Sequence, residues 1–156
     1  MGPSGSGKTA VGAARRRSRR GLRRRRRSAP AGQRREDGSG PPLDDEDRAP
    51  WLDIVGQTLA EAPGLVVACS ALARRYRDRI RAAAPDVRFV ELVVSPEELD
   101  RRMRSRQHFM PPTLLASQLA TLEHLGDDEP GVAVENVGRI LDVARRARIA
   151  LDEPAG

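Results

Sequence analysis

The sequence predicts an α/β fold in which a parallel sheet is flanked by helices. Two observations support this prediction. Short apolar runs of strand length alternate with segments of helical periodicity, and a glycine-rich loop stands directly ahead of a helical segment. The 156 residues and 17.1 kDa are typical of one domain. We therefore expect a single domain that spans residues 1–156.

The glycine-rich loop comes first along the chain. Residues 2–9 read G-P-S-G-S-G-K-T and match the pattern G-x-x-x-x-G-K-S/T. Glycines allow backbone N–H groups to turn toward phosphate oxygens, and the following helix presents its positive end to them. Lys8 is expected to reach the β- and γ-phosphates, and the Thr9 hydroxyl is expected to bind Mg²⁺. The predicted nucleotide-binding residues are Gly2, Pro3, Ser4, Gly5, Ser6, Gly7, Lys8 and Thr9.

The segments on either side of this loop and its helix depart from the expected architecture. A phosphate loop normally follows a buried strand, but only Met1 precedes Gly2. Either the true start lies upstream, or the chain lacks the central strand of its own sheet. After the first helix, residues 15–40 form an arginine-rich segment with neither the helical nor the strand period.

Regular elements are predicted again from residue 42 onward. Residues 42–62 read as a helix, because Trp51, Leu52, Val55 and Leu59 recur at helical spacing. Residues 65–68 are wholly apolar, which is typical of a strand buried on both faces of a parallel sheet. A further helical face runs over residues 72–83.

The C-terminal half continues the alternation of strands and helices. A strand is predicted over residues 88–94, and a helix follows with Ser95 as N-cap, Pro96 at its first position and Glu98 completing a capping box. Residues 110–112 end that helix, and a leucine stripe begins another at Leu115. A third strand is predicted over 132–134, and a last helix over the segment that contains Val137, Ile140, Leu141 and Ala144.

The charge of the chain is unevenly distributed. The formal net charge is +6, but twelve of the 28 basic residues lie between Arg15 and Arg35, and the rest carries 16 basic against 22 acidic residues. An electrostatic arm for nucleic acid is one interpretation of this tract. The tract has no aromatic residue for base stacking, and the acidic remainder would repel a polyanion. We therefore expect no nucleic-acid partner.

The remaining composition indicates a soluble cytoplasmic protein. Cys69 is the only cysteine, which fits a reducing compartment. No apolar stretch approaches the roughly 18 residues that a membrane span needs, and the N-terminus has no apolar stretch of signal-peptide length. We expect no membrane partner.

Three further segments resemble the small bacterial gluconokinases. They are P-L-D-D-E-D-R-A-P-W-L over residues 42–52, A-C-S-A-L over 68–72 with Y-R-D over 76–78, and R-Q-H-F-M-P-P over 106–112 with Leu115, S-Q over 117–118 and T-L-E over 121–123. The resemblance implies a P-loop kinase fold like that of nucleoside monophosphate kinases, incomplete at its N-terminus. It also implies transfer of the γ-phosphate of ATP to the 6-hydroxyl of D-gluconate, with Mg²⁺ as cofactor.

The resemblance also assigns roles to individual residues. It implies that Lys8 and Arg106 are catalytic, and that Arg48, Ser70 and His108 bind the sugar acid. Arg102 and Arg106 would belong to a lid region over about residues 101–125. A homodimer is one option for the assembly. A kinase of another acidic metabolite, such as a shikimate kinase-like enzyme, and a non-catalytic remnant remain alternatives.

The arginine-rich segment departs from the family pattern. Gluconokinases have there a second strand that ends in an acidic turn, whose first aspartate is the candidate for the base that orients the attacking hydroxyl. Most arginine codons are CGN, so a one-base slide converts them to GNN codons for Val, Ala, Asp, Glu or Gly. Applied to residues 22–39, the slide permits F-V-D-G-D-D-L-H-P-P-A-N-V-A-K-M-A. We therefore hypothesise that residues from about 14 to 39 are translated out of frame.

Overall fold

The computed structural model describes residues 1–18, 45–105 and 112–153, without the side chains of residues 15–18 and 112. Its six helices in this part of the chain are α1 (Lys8–Ser18), α2 (Asp45–Ala60), α3 (Arg74–Ala83), α4 (Pro96–Arg104), α5 (Pro112–Thr121) and α6 (Ile140–Asp152). Its two strands there are β1 (Phe89–Val93) and β2 (Gly131–Glu135). The frame hypothesis concerns a segment that lies mostly outside these residues.

The two strands pair in parallel, as the sequence predicts. Phe89 lies opposite Gly131 and Val93 opposite Glu135. Helices α4 and α5 connect the strands, which is the crossover that a parallel pair requires. The α/β fold class with a parallel sheet is therefore confirmed.

Two apolar clusters form the core. The first joins α2, α3 and β1 around residues such as Trp51, Val55 and Ile80. The second joins α1 and α6 to both strands and includes Val11, Leu92 and Val143. Helices thus cover the sheet region on both faces, which is the arrangement of a doubly covered parallel sheet.

The predicted start of α4 is confirmed in its main part. The Ser95 hydroxyl accepts a hydrogen bond from the Glu98 N–H at 3.3 Å, and Pro96 is the first helical residue. The Glu98 carboxylate accepts bonds from the guanidinium groups of Arg101 and Arg102. The N-cap at Ser95 therefore forms as predicted. The Glu98 carboxylate, however, binds arginine side chains of its own helix instead of completing the capping box.

The predicted strand over residues 65–68 is wrong. This stretch is half-buried and has no regular secondary structure. A strand is defined by its hydrogen-bonded neighbour, and no hydrogen bond joins the backbone of Val66 or Val67 to the described residues. The apolar composition of residues 65–68 is typical of a strand, but the described part of the chain contains no strand that pairs with them.

The last helix also differs from its prediction. Val137 lies ahead of α6 and is 68% exposed, and Leu141 is 56% exposed. Gly138 has a φ of +88°, and the helix begins two residues later. The buried stripe consists instead of Val143, Ala144, Ala147 and Leu151.

The buried amino terminus predicts a pH-dependent stability. Burial lowers the pKa of the Met1 ammonium from 8.0 to about 6; Lys8 and Arg77 act in the same direction, and Cys69 and Glu91 oppose it. The unfolded chain therefore binds this proton up to a higher pH than the folded chain does. The free energy of unfolding should rise by about 2 kcal/mol between pH 6 and pH 8.

Urea unfolding at the two pH values measures this rise, on protein whose Met1 has been verified by mass spectrometry. Protein acetylated at its amino terminus is the control, because it has no ammonium to titrate. An equal pH dependence of the two proteins would contradict the prediction.

Candidate functional site

The phosphate loop occupies residues 2–7 and leads directly into α1. Gly2, Gly5 and Gly7 have φ values of +136°, +85° and +86°, a region that L side chains rarely adopt. Helix α1 begins at Lys8, so its N-terminal end and positive dipole face the loop. The loop predicted from the sequence therefore has the backbone of an anion-binding turn.

At two of these glycines, neighbouring atoms also leave too little room for a side chain. A Cβ on Gly7 would lie 2.6 Å from the Asn136 side-chain nitrogen. A Cβ on Gly2 would lie 2.9 Å from the Ser6 hydroxyl oxygen and 3.2 Å from the Leu92 carbonyl oxygen. Substitution at either position would strain the backbone and force the neighbouring side chain to move.

Lys8 lies against the loop. Its ammonium donates hydrogen bonds to the carbonyl oxygens of Gly2 at 2.8 Å and Pro3 at 2.9 Å. These contacts hold a positive charge beside the N–H groups of the loop. A lysine in this position is the typical partner of nucleotide phosphates in loops of this sequence.

The donor set of the loop fits a nucleotide phosphate. The Ser6 hydroxyl is buried and has no hydrogen-bond partner among the described residues, so it can still satisfy an anionic oxygen. The Thr9 side chain is exposed in the first turn of α1, next to Lys8. Among the described residues, no group of three or more His, Cys, Asp or Glu side chains could hold a metal ion.

Arg102 joins three elements at the loop. Its Nε donates to the Glu98 carboxylate at 2.7 Å, one Nη donates to the Asn136 carbonyl at 3.0 Å, and the other approaches the Gly5 carbonyl at 3.4 Å. Hydrogen bonds from Arg101 and then from Arg102 lower the pKa of Glu98 to about 2. The predicted lid arginine thus lies next to the phosphate loop, and its carboxylate partner stays ionised at neutral pH.

Ser70 contacts the first residue of the loop. It is buried, and its carbonyl accepts a hydrogen bond from the Gly2 N–H at 3.2 Å. The next residue, Ala71, has a φ of +40°, an unusual value for a residue other than glycine. Strained backbone of this kind clusters at functional sites. The structure therefore brings Ser70 and the phosphate loop together.

Arg48 lies at the start of α2, over an aromatic ring of α3. Its guanidinium carbon is 5.4 Å from the centre of the Tyr76 ring, and the guanidinium carbon of Arg75 is 4.8 Å from the same centre. The Tyr76 hydroxyl donates a hydrogen bond to the Asp45 carboxylate. Hydrogen bonds from Arg75 and then Tyr76 lower the pKa of Asp45. This cluster holds Arg48 beside the first turn of α3.

Two predicted site residues, Arg106 and His108, lie outside the described residues. Two further residues, to which neither the loop motif nor the resemblance assigned a role, contact the loop. The Gln118 side-chain oxygen of α5 accepts a hydrogen bond from the Ser4 N–H at 2.7 Å, and the Asn136 amide donates to the Ser6 carbonyl at 2.6 Å. Asn136 directly follows β2, and ligand sites of parallel sheets lie at the carboxyl ends of strands. That rule could have identified Asn136.

None of the described helices is long and apolar enough to cross a membrane. No protein-family model matches the chain.

The sequence is similar to several characterised kinases. It is 44% identical over 141 residues to the gluconokinase of Gluconobacter oxydans, an alignment that covers 86% of this chain and 79% of that protein. It is 32% identical to the thermoresistant gluconokinase of Escherichia coli, with 91% and 85% covered.

Solved structures give the same result. A gluconokinase from Sinorhizobium meliloti has a TM-score of 0.81 and 41% identity, with 97% of this chain and 88% of that chain covered. A sugar kinase from Janibacter has a TM-score of 0.83 and 36% identity, with 97% and 91% covered. Together with the phosphate loop and the arrangement of Lys8, Ser70 and Arg102 around it, these similarities establish that the chain belongs to the gluconokinase family.

Proposed function

We propose that this chain has the activity of its family, the transfer of the γ-phosphate of ATP to the 6-hydroxyl of D-gluconate, at a rate impaired by the altered segment at residues 14–39. The observation that carries the proposal is the phosphate loop, with Lys8 folded against it, in a chain that matches gluconokinases over most of its length. A P-loop alone indicates nucleotide binding. The family relationship supplies the acceptor.

The nucleotide half of the reaction rests on residues 2–9. The N–H groups of the loop and of the first turn of α1 would bind the phosphate oxygens, and Lys8 would leave the loop carbonyls to bind the β- and γ-phosphates. Mg²⁺, held by the Thr9 hydroxyl, would neutralise charge on these phosphates. We assign Gly5 and Gly7 to the turn and Ser6 to a direct contact with the nucleotide.

The acceptor half of the reaction rests on residues outside the loop. Arg48 would bind the carboxylate of gluconate, because a guanidinium offers two parallel donors to such a group. Ser70, adjacent to Gly2, and His108 would contact the hydroxyl groups of the sugar acid. Arg102 and Arg106 would stabilise charge on the transferring phosphoryl group.

A panel of acceptors tests the proposal. ATP-dependent phosphorylation is measured with gluconate, shikimate and other hydroxy acids, both for this chain and for a form with the reading frame of residues 22–38 restored. Only gluconate should increase ADP release, and the increase should be larger for the restored form. The Lys8→Ala variant is the control for a reaction at this loop. Phosphorylation of shikimate in preference to gluconate would favour the other small-metabolite kinase.

Replacement of Arg48 gives a more specific prediction. Arg48→Ala should raise the KM for gluconate by roughly 10- to 100-fold, because it removes a charged hydrogen bond of about 1.5–3 kcal/mol, and should leave the KM for ATP unchanged. Steady-state kinetics on a catalytically active form of the chain measures both constants.

Arg75→Ala is the matched control for this variant. Arg75 stacks on the same Tyr76 ring, but we assign it no contact with gluconate. Equal increases in KM from the two substitutions would mean that Arg48 acts only through Tyr76, and would contradict the assignment.

A further inference from the structure

The Arg77 guanidinium of α3 joins two stretches of backbone that are distant along the chain. Its side chain is 0% exposed. Nη1 donates hydrogen bonds to the carbonyls of Leu72 at 3.1 Å and Glu123 at 3.0 Å, and it reaches the carbonyl of Ala71 at 3.4 Å. Ala71 and Leu72 lead into α3, whereas Glu123 follows the end of α5. One buried side chain thus connects both stretches.

A carboxylate holds the guanidinium of Arg77 in this orientation. The two carboxylate oxygens of Glu129 accept hydrogen bonds from Nε and Nη2, both at 2.6 Å. Glu129 is held in turn, because its carboxylate accepts a bond from the Gly126 N–H at 3.0 Å and its own N–H donates to the Gly126 carbonyl at 3.0 Å. A two-bond pair of this kind fixes the plane of the guanidinium. Nη1 is therefore directed at the backbone carbonyls.

The two stretches that Arg77 joins also reach the phosphate loop, at separate points. The Ser70 carbonyl, directly ahead of Ala71, accepts a hydrogen bond from the N–H of Gly2 at 3.2 Å. Helix α5 carries Gln118, whose side-chain oxygen accepts a bond from the N–H of Ser4 at 2.7 Å. The loop thus has one support ahead of α3 and another in α5, and Arg77 connects the two.

The backbone that follows Ser70 depends on such a connection. Ala71 has a φ of +40°, and strained backbone persists only where the surrounding structure fixes it. The residues at 71–73 are at most 2% exposed, so their carbonyls need donors from the protein. Arg77 supplies donors to two of these carbonyls, and the Glu123 N–H supplies another to Leu72 at 2.9 Å.

We propose that Arg77 is a positioning residue, which holds Ser70 against the phosphate loop and couples this contact to the contact of α5 with the same loop. Arg77 itself touches neither the nucleotide nor the acceptor. Its effect on the acceptor rests on the proposed function, in which Ser70 contacts the sugar acid. Its effect on the loop does not depend on that function.

The double variant Arg77→Met with Glu129→Met separates positioning from stability. It removes the guanidinium together with the carboxylate that would otherwise stay buried without a partner, so part of the stability returns. Hydrogen exchange of the Gly2 and Ser4 amides measures the two contacts of the loop. The Val143 amide, which is hydrogen-bonded in the first turn of α6, is the internal reference, because unfolding of the whole chain would speed all three amides.

In the double variant, exchange of the Gly2 and Ser4 amides should accelerate at least about 10-fold more than exchange of the Val143 amide. Arg79→Ala, which breaks an exposed ion pair on the same helix, should leave these ratios unchanged. Equal acceleration of all three amides in the double variant would overturn the proposal, and so would acceleration at only one of the two loop amides.

Arg77→Lys keeps the test valid if the double variant does not fold. A lysine retains a positive charge for Glu129, but its ammonium lacks the planar set of donors that reaches the carboxylate and the backbone carbonyls at once. The same selective acceleration of the Gly2 and Ser4 amides is therefore expected. Unchanged exchange of these amides in the lysine variant would overturn the proposal.

Kinetics test the effect on the acceptor. In the form with the restored reading frame, the double variant should have a kcat/KM for gluconate about 10- to 100-fold below that of its parent, because small displacements of a positioning group have effects of this size. Arg79→Ala should keep the parental value. A parental kcat/KM in the double variant would overturn the proposal. If the restored parent itself does not phosphorylate gluconate, the proposed function fails, and the exchange rates still decide the role of Arg77.

Discussion

Restoring the reading frame of the arginine-rich segment should increase gluconate-dependent ADP release by about 10²- to 10⁴-fold, the usual contribution of a positioned general base. The restored protein carries the shifted translation over residues 22–38 and an apolar extension ahead of Met1. In gluconokinases, the first aspartate of this segment is the candidate that orients the attacking hydroxyl. The unaltered chain has Arg24 at this position, so it should show little activity. Coupled detection of ADP with and without gluconate measures the difference.

Matched variants separate the causes of this increase. A restored protein with Arg24→Asn in place of Arg24→Asp keeps the length and the other changes, and should lose most of the gain. Proteins that carry only the extension or only the shifted segment show which change matters for folding and which for catalysis. Full activity of the unaltered chain would disprove the frame hypothesis as an account of function. The nucleotide sequence offers an independent check, since a GAC codon at Asp37 encodes Thr instead of Met in the shifted frame.

Arg77→Ala should lower the free energy of unfolding by about 3–5 kcal/mol, the usual cost of breaking a buried ion pair. The Arg77 and Glu129 side chains are 0% and 1% exposed, and their two hydrogen bonds are both 2.6 Å long. Arg77 also donates to the carbonyls of Leu72 at 3.1 Å and Glu123 at 3.0 Å. The substitution would leave the Glu129 carboxylate and these carbonyls buried without their partner. Urea denaturation followed by circular dichroism measures the loss.

Two further variants provide controls for Arg77→Ala. Arg79→Ala removes an exposed pair with Asp53, whose side chains are 46% and 50% exposed, and should cost no more than about 1 kcal/mol. The double variant Arg77→Met with Glu129→Met removes both charges and should recover part of the stability. If Arg77→Ala costs no more than Arg79→Ala, the buried pair does not hold this part of the fold together.

Local signals in the sequence predict much of this fold. The N-cap at Ser95 depends on residues within one helical turn, and the apolar runs of β1 and β2 need little context to read as strands. The stretch at 65–68 has the same composition but no regular structure, because a strand also depends on a partner that is distant along the chain. The prediction of the last helix failed for a similar reason. Spacing identified an apolar face, but packing against α1 and the sheet buried residues further along α6.

In the candidate site, too, local features were predictable and contacts between distant residues were not. A contiguous motif gave the phosphate loop, and the structure confirms its backbone. Gln118 and Asn136 contact that loop from 114 and 130 residues away along the sequence, so the loop motif itself does not indicate them. For Asn136, the position directly after β2 is the signal that could have done so. Arg102 was assigned from the family resemblance, and the structure adds that it lies against the carbonyls of Gly5 and Asn136.

The hydrogen bonds of Met1 and Gly2 have a thermodynamic consequence. Gly2 opens the phosphate loop, and its N–H also connects the loop to the backbone of Ser70. The bonds of Met1 to Val90 and Leu92 restrict the loop before nucleotide arrives, and nucleotide that fixes the loop would restrict Met1. Linkage requires the two effects to be equal in free energy. The affinity for nucleotide therefore reports on the bonds between Met1 and β1, and the strength of these bonds reports on occupancy of the loop.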